Sequence, residues 1–276
     1  MNRLRPTVVP MEIHADEPCR PGPPSTGMRR EADAFVAALE ETVPDACCAC
    51  AGWTAHELVA HLVAAAIEVA LTLEAYGEGR PVPATRSFEE REAPWRARDA
   101  ATLRRELPGA LGRMSAALDA VLGADPDAVV PWTGRQMVVA TFVTHLRSEL
   151  ALHRWDLVGD DERSMALLAQ PELTVHAVSV LGRPLLVRGS RSRDGFADRL
   201  RLTLASPGRP DVVAVVDADG ARLELGSTSA NEPMVICDPA ARLLVIWGRR
   251  PGDPRRVRAP GGAAGLGQLQ GLLAGY

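Results

Sequence analysis

The stretch "WTAHELVAHLVAAAIEVALTLEAYG", residues 53–77, constrains the fold more than any other part of the chain. It is largely apolar, contains no proline, and opens with a helix start written in full. Thr54 is placed to cap the first turn, with Glu57 three residues on to reach back. Trp53 and Leu58 flank them as a hydrophobic staple. The spacing predicts a helix from residue 55 to about residue 76, stopped by Gly77. Such a helix needs partners on most of its surface, so the chain must build a helical core around it. Two turns in, that apolar surface carries His61. A lone histidine there is most often a satisfied core residue, and it becomes something else only if other donors meet it.

The same grammar recurs at "WTGRQM". Thr133 is placed to cap, Gln136 to close the box and Trp132 to face Met137, which predicts a second helix from residue 134 to about 158, ended by Gly159. Phe142, Val143, Leu146, Leu150 and Leu157 form its apolar side. Upstream, "READAFVAALEETV" puts Ala32, Phe35, Val36 and Leu39 on one helical face and ends before Pro44. Residues 88–122 read as a further helical region interrupted by Pro94 and Pro108. Four helices in about 130 residues make an antiparallel four-helix bundle the natural architecture.

After residue 163 the pattern changes. Residues 171–183 suggest one more helix, "DRLRLTLAS" and "DVVAVVDADGARLELGS" read as strands, and "DADG" at 217–220 reads as a hairpin turn. "MVICDPAARLLVIWGRRP" is a strand followed by a helix with Asp238 as cap and Pro239 in its first turn, and "LGQLQGLLAGY" closes as a short helix. The expected organisation is multidomain. Residues 1–28 form an irregular extension, 29–163 an all-α four-helix bundle, and 164–276 a smaller α+β domain.

Composition narrows the function classes. The 276 residues are 46% hydrophobic and 24% charged with net charge −4, an ordinary soluble profile without the basic footprint of a nucleic-acid binder. Charges cut the apolar runs short of a membrane span, and residues 1–18 lack a signal-peptide core. The expectation is a cytoplasmic chain, away from membranes and nucleic acid, working on a small molecule as monomer or homodimer. Five cysteines suit a reducing compartment: Cys19 and Cys237 stand alone, while Cys47, Cys48 and Cys50 cluster as "CCAC". That cluster is either an inert loop or a set of thiols near a site.

Glu149 and His153 lie four residues apart and so project from one helical face. With His61 from the neighbouring capped helix they make two imidazoles and a carboxylate, a donor set for Zn²⁺ or another divalent metal with one position left open. His145 competes as third ligand. However, His145, Glu149 and His153 form a row about 12 Å long, too drawn out to converge easily on one ion. His56 lies well round the helix from His61, and His14 and His176 gain no role. Asp156, three residues after His153, either orients that histidine or pairs locally.

At these residues the chain resembles the mycothiol-dependent maleylpyruvate isomerase-like family. The matching pieces are "GWTAHELVAHL", "PWTGRQM" and "ELALHRWDLVG", together with "DPAARLLVIWGRRP" near the C-terminus. The resemblance spans residues 29–276. It implies a DinB-type bundle followed by a sterol-carrier-like α+β domain, and zinc held by His61, Glu149 and His153. It also implies mycothiol as a low-molecular-weight thiol cofactor and a catalytic arginine at Arg249 or the adjacent Arg250. Arg135 is a further candidate for holding cofactor or a substrate carboxylate. The extension and "CCAC" depart from the family's pattern.

The implied chemistry is isomerisation, in which a thiolate adds to an activated alkene, the new single bond rotates and elimination restores the alkene. Thiol S-transfer to an electrophile is the close variant. A metal enzyme without a thiol cofactor and a non-catalytic binding module are the alternatives.

Overall fold

The computed structural model describes residues 28–182, 186, 199–218, 220–226, 234–260 and 262–273. The expected extension, apart from Met28, lies outside these residues, as do His14, Cys19 and residue 183.

Five helices and a β-hairpin make up the first part: α1 (Arg29–Glu40), α2 (Ala55–Gly77), α3 (Phe88–Arg96), α4 (Ala100–Ala124), β1 (Val129–Trp132), β2 (Arg135–Val138) and α5 (Ala140–Val158). The start of α2 is as expected. The Thr54 side chain accepts from the Glu57 amide, and the Glu57 carboxylate accepts from the Thr54 amide at 2.7 Å. Phe35, Leu58, Leu73, Leu103, Leu107, Met114 and Phe142, drawn from α1, α2, α4 and α5, are fully buried in one shared core. Each contributes about 1.5–3 kcal/mol by leaving water. Among the described residues α2 is the one helix long and apolar enough to cross a membrane by length and composition, which corrects the expectation that charges cut every such run too short. Of its most apolar window, 78% is buried inside the protein, as in a core helix.

Two sequence expectations fail here. Thr133 does not cap a helix. Thr133 and Gly134 have φ of 48° and 79° and form the two-residue turn between β1 and β2, with Trp132 paired to Arg135 and Val129 to Val138. Positive φ at both turn residues matches the twist of a hairpin. The valines on either side favour strands, and Val130, Trp132 and Met137 point into the core. The helix bearing Glu149 and His153 therefore begins only at Ala140. Likewise, residues 88–122 divide at neither proline. Pro94 lies inside α3 and Pro108 inside α4, and the chain breaks where Asp99 caps α4 through the Thr102 amide at 2.9 Å.

The second part opens with a helix the sequence pattern did not suggest, α6 (Glu162–Leu168), capped by Asp161. Next comes α7 (Pro171–His176), which runs into a π-helical segment at Ala177–Gly182 rather than continuing as α-helix. A five-stranded sheet follows in the order β5-β4-β3-β6-β7: β3 (Leu200–Ala205), β4 (Asp211–Asp217), β5 (Gly220–Gly226), β6 (Met234–Cys237) and β7 (Val257–Arg258). β3 and β6 run parallel and the other pairs antiparallel, with Asp217 opposite Gly220 at the expected hairpin. Pro239–Ile246 forms α8 under the Asp238 cap, and Ala263–Leu273 forms α9.

The two parts share α5. Phe142, Leu146 and Leu150 face the first core, whereas Ala151, Leu152 and Trp155 belong to the second. After α8 the chain turns at Gly248 (φ 73°), where a Cβ would stand 2.3 Å from the Leu273 carbonyl oxygen. Only glycine fits, and the turn delivers Arg249 back toward α5.

Candidate metal centre

α2 presents His61 and α5 presents Glu149 and His153 to the same point. Their ligand atoms all lie within 4.8 Å of one another. His61 Nε2 is 3.5 Å and His153 Nε2 3.4 Å from Glu149 Oε2, and the two rings meet edge to face at 5.2 Å. Both histidines are buried. The side chain that meets Glu149 and His153 is thus His61, and His145 is not part of the group.

Each histidine is braced from behind. His61 Nδ1 contacts Glu92 Oε1 at 2.7 Å, and His153 Nδ1 contacts Asp156 Oδ2 at 2.8 Å. A carboxylate on Nδ1 holds the proton on that nitrogen, so Nε2 is the nitrogen that would give up its proton to take a metal, the arrangement that supports metal-ligating histidines. The braces are themselves held. Glu92, fully buried on α3, takes Arg96 at 2.6 Å, while Asp156 takes both Nε and a terminal nitrogen of Arg249 at 2.8 and 2.7 Å. The Asp156 brace also decides between the two sequence readings of that residue, since it orients His153. Two imidazole nitrogens and one carboxylate with both outer nitrogens satisfied fit a divalent ion of the zinc type.

Electrostatics follow from burial and pairing. Burial alone would raise the Glu149 carboxyl, but the hydrogen bonds from His153 and His61 outweigh it and hold it well below the usual range. His153 would be lowered by burial, yet its contacts with Asp156, Cys50 and Glu149 carry it well above an ordinary imidazole. Asp156 and Glu92 are held down in the same way, by Arg249 and His153 and by His61 respectively, against their burial. By contrast, burial drives His145 down, and burial together with His145 drives His176 down to about 3. These two contact each other at 3.4 Å, and neither belongs to the converging donor group.

The three ligand candidates line a cavity of about 870 Å³ whose walls come from α2, α3, the β1–β2 hairpin, α5 and the turn after α8. Arg135, Arg249 and Arg250 all reach its wall. Arg249 is buried against Asp156 and Arg250 is exposed, so the neighbouring arginines occupy different environments. Arg135, on the hairpin rather than on a helix, is partly buried.

Two residues in the cavity escaped sequence reasoning, and a third was left open by it. Arg91 is 5% exposed, stacks on Phe88 at 4.3 Å, and its Nε has no hydrogen-bond partner among the described residues. Glu92 beside it braces His61. Both sit in "FEEREAPWR", where the helical reading holds but the density of charge reads as a solvated face. Cys50 is the third, with Sγ 3.1 Å from Asp156 Oδ2.

Comparison with known proteins bears on the family and the fold. Residues 26–158 match the family model described as the mycothiol maleylpyruvate isomerase N-terminal domain. Two solved structures share the fold. One is a mycothiol-dependent maleylpyruvate isomerase, at 16% identity and TM-score 0.55. The other is a histidine-to-alanine mutant bearing the same description, at 17% and 0.54. Each comparison covers 86% of this chain and 93% of the other. No curated protein matches. Over residues 26–158, the chain is therefore similar to the mycothiol maleylpyruvate isomerase N-terminal domain family.

Proposed function

We propose that the chain is a divalent-metal enzyme, with Zn²⁺ as the fitting ion, that uses a low-molecular-weight thiol of the mycothiol type. It acts on a small unsaturated or electrophilic carboxylate, as a maleylpyruvate-type isomerase or a thiol S-transferase. Residues 29–163 are read as its DinB-type four-helix bundle and 164–276 as its sterol-carrier-like domain, in a cytoplasmic protein. The observation that carries the reading is the convergence of His61, Glu149 and His153, each imidazole braced by its own carboxylate, on a cavity large enough for two small molecules. The family match and the shared fold support it.

A divalent cation held by these three residues supplies positive charge that favours the thiolate form of a bound thiol. The remaining roles belong to the chain. Arg91, desolvated and short of a hydrogen-bond partner at Nε, is suited to hold a substrate carboxylate, and Arg135 extends that positive wall. The same guanidinium groups would stabilise negative charge that develops on the substrate during addition and elimination. Arg249 acts on His153 through Asp156 and is a positioning residue. Trp53, Phe88 and Trp247 line the cavity and exclude water around the reacting atoms.

The test combines elemental analysis with turnover of maleylpyruvate-like acids in the presence and absence of mycothiol. One zinc per chain and turnover only with thiol support the reading. A folded protein that takes up no metal, or turnover indifferent to every small thiol, contradicts it.

A further inference from the structure

"CCAC" is the sequence feature the metal site does not absorb. The segment from Cys47 to Trp53 is folded back on itself: the Cys48 amide donates to the Trp53 carbonyl at 3.1 Å, and the Trp53 amide donates to the Cys50 carbonyl at 3.0 Å. The Ala49 amide donates to the Asp156 carbonyl of α5 at 2.8 Å, which pins the turn against the site. This folding keeps Cys48 against the backbone of Cys50, with Cys48 Sγ 3.7 Å from the Cys50 carbonyl oxygen. Cys48 Sγ rests 3.4 Å from the Trp53 carbonyl oxygen, and Cys50 Sγ opens on the cavity beside Asp156 and 3.7 Å from an Arg249 nitrogen.

Cys237 shows what a structural cysteine of this protein looks like. It is 1% exposed inside the sheet, away from the cavity. Cys48 and Cys50 are only half-buried, neighbour each other, and have polar partners, with an arginine beside one of them. Reactive thiols occupy such partly exposed, polar surroundings, whereas core thiols are inert.

We propose that Cys48 and Cys50 are a redox-active dithiol, set in the wall of the metal-site cavity, that reduces the disulfide of a small thiol. Cys48 Sγ attacks one sulfur of the incoming disulfide, forming a mixed disulfide and releasing the first thiolate. Cys50 Sγ then attacks the Cys48 sulfur, forming the Cys48–Cys50 bond and releasing the second. The two protons lost by the cysteines end on the two departing thiols. In balance, the protein dithiol loses two electrons and the small disulfide gains them. Closure withdraws Cys50 from the Asp156 carboxylate that braces His153, so the oxidation state of the pair reaches the metal site. The proposal does not depend on the thiol-enzyme reading, because its readout is covalent.

The test treats the full chain carrying Cys19→Ser and Cys47→Ser with glutathione disulfide, and maps the products by mass spectrometry with zinc present and absent. The expected product has lost two hydrogens, localised between Cys48 and Cys50. In the further Cys50→Ser variant a glutathione adduct is trapped on Cys48, and in the Cys48→Ser variant the internal disulfide is lost. The proposal is overturned if both thiols stay reduced while free cysteine in the same solution is oxidised. Adducts that remain singly on Cys48 and Cys50 without closure also overturn it.

Discussion

Two histidine pairs are built in opposite ways, one lining the cavity with both rings and the other reaching it through His145 alone. His61 and His153 each lean outward on a carboxylate, Glu92 and Asp156, and point their inner nitrogens at Glu149. His145 and His176 lean on each other, and burial keeps both toward the neutral form. The first pair is preorganised to meet a cation. The second is preorganised to avoid charge. Proximity to the cavity therefore does not make a histidine a ligand; what stands behind its other nitrogen does.

The largest expected effect separates the pairs directly. His61→Ala lowers zinc affinity by more than the ~10–100-fold that outer-shell changes cost, whereas His145→Ala leaves it within a few-fold, by competition titration with a chelating dye. Next, Asp156→Asn leaves the buried Arg249 charge without its partner and His153 without its brace. It should cost about 3–5 kcal/mol of stability in urea unfolding, together with an affinity loss of roughly ten-fold or more. Glu92→Gln keeps the shape of the brace and lowers affinity by about ten-fold with little change in fold stability.

A smaller effect probes the second pair by pH. A histidine whose folded value lies near 3 contributes stability that is complete above its unfolded value of about 6.5 and is lost as pH falls toward 3, because only the unfolded chain takes the proton. His176→Gln should flatten the fall in urea-unfolding stability between pH 6.5 and 4, by at most about 1.4 kcal/mol per pH unit. An unchanged slope would show that His176 is not held neutral. Smallest is Thr54→Ala, which removes the cap of the helix carrying His61 and should cost about 1 kcal/mol in the same measurement.

Much of this was legible where interactions are local. Thr54 and Glu57 meet within one turn, and Glu149 and His153 are fixed by helical spacing, so sequence alone found α2 and the face that Glu149 and His153 share. The same local grammar misled at "WTGRQM", because Thr-Gly also suits a hairpin turn and only the flanking valines distinguish the two. Helix α6 was missed because it is only seven residues long. The Glu92 brace and the Arg249–Asp156 pairing were beyond reach for a different reason. Glu92 comes from α3, 31 residues from His61, and Arg249 from the turn after α8, 93 residues from Asp156, so neither pairing is local. Arg91 was hidden in the same way, as one charge among many.

The most direct measurement is anomalous diffraction at the zinc edge from zinc-loaded crystals. The account requires one strong peak at about 2.0–2.2 Å from His61 Nε2, His153 Nε2 and a Glu149 carboxylate oxygen. A peak on His145 and His176, or among Cys50, His153 and Asp156, with none between His61 and Glu149, would contradict it.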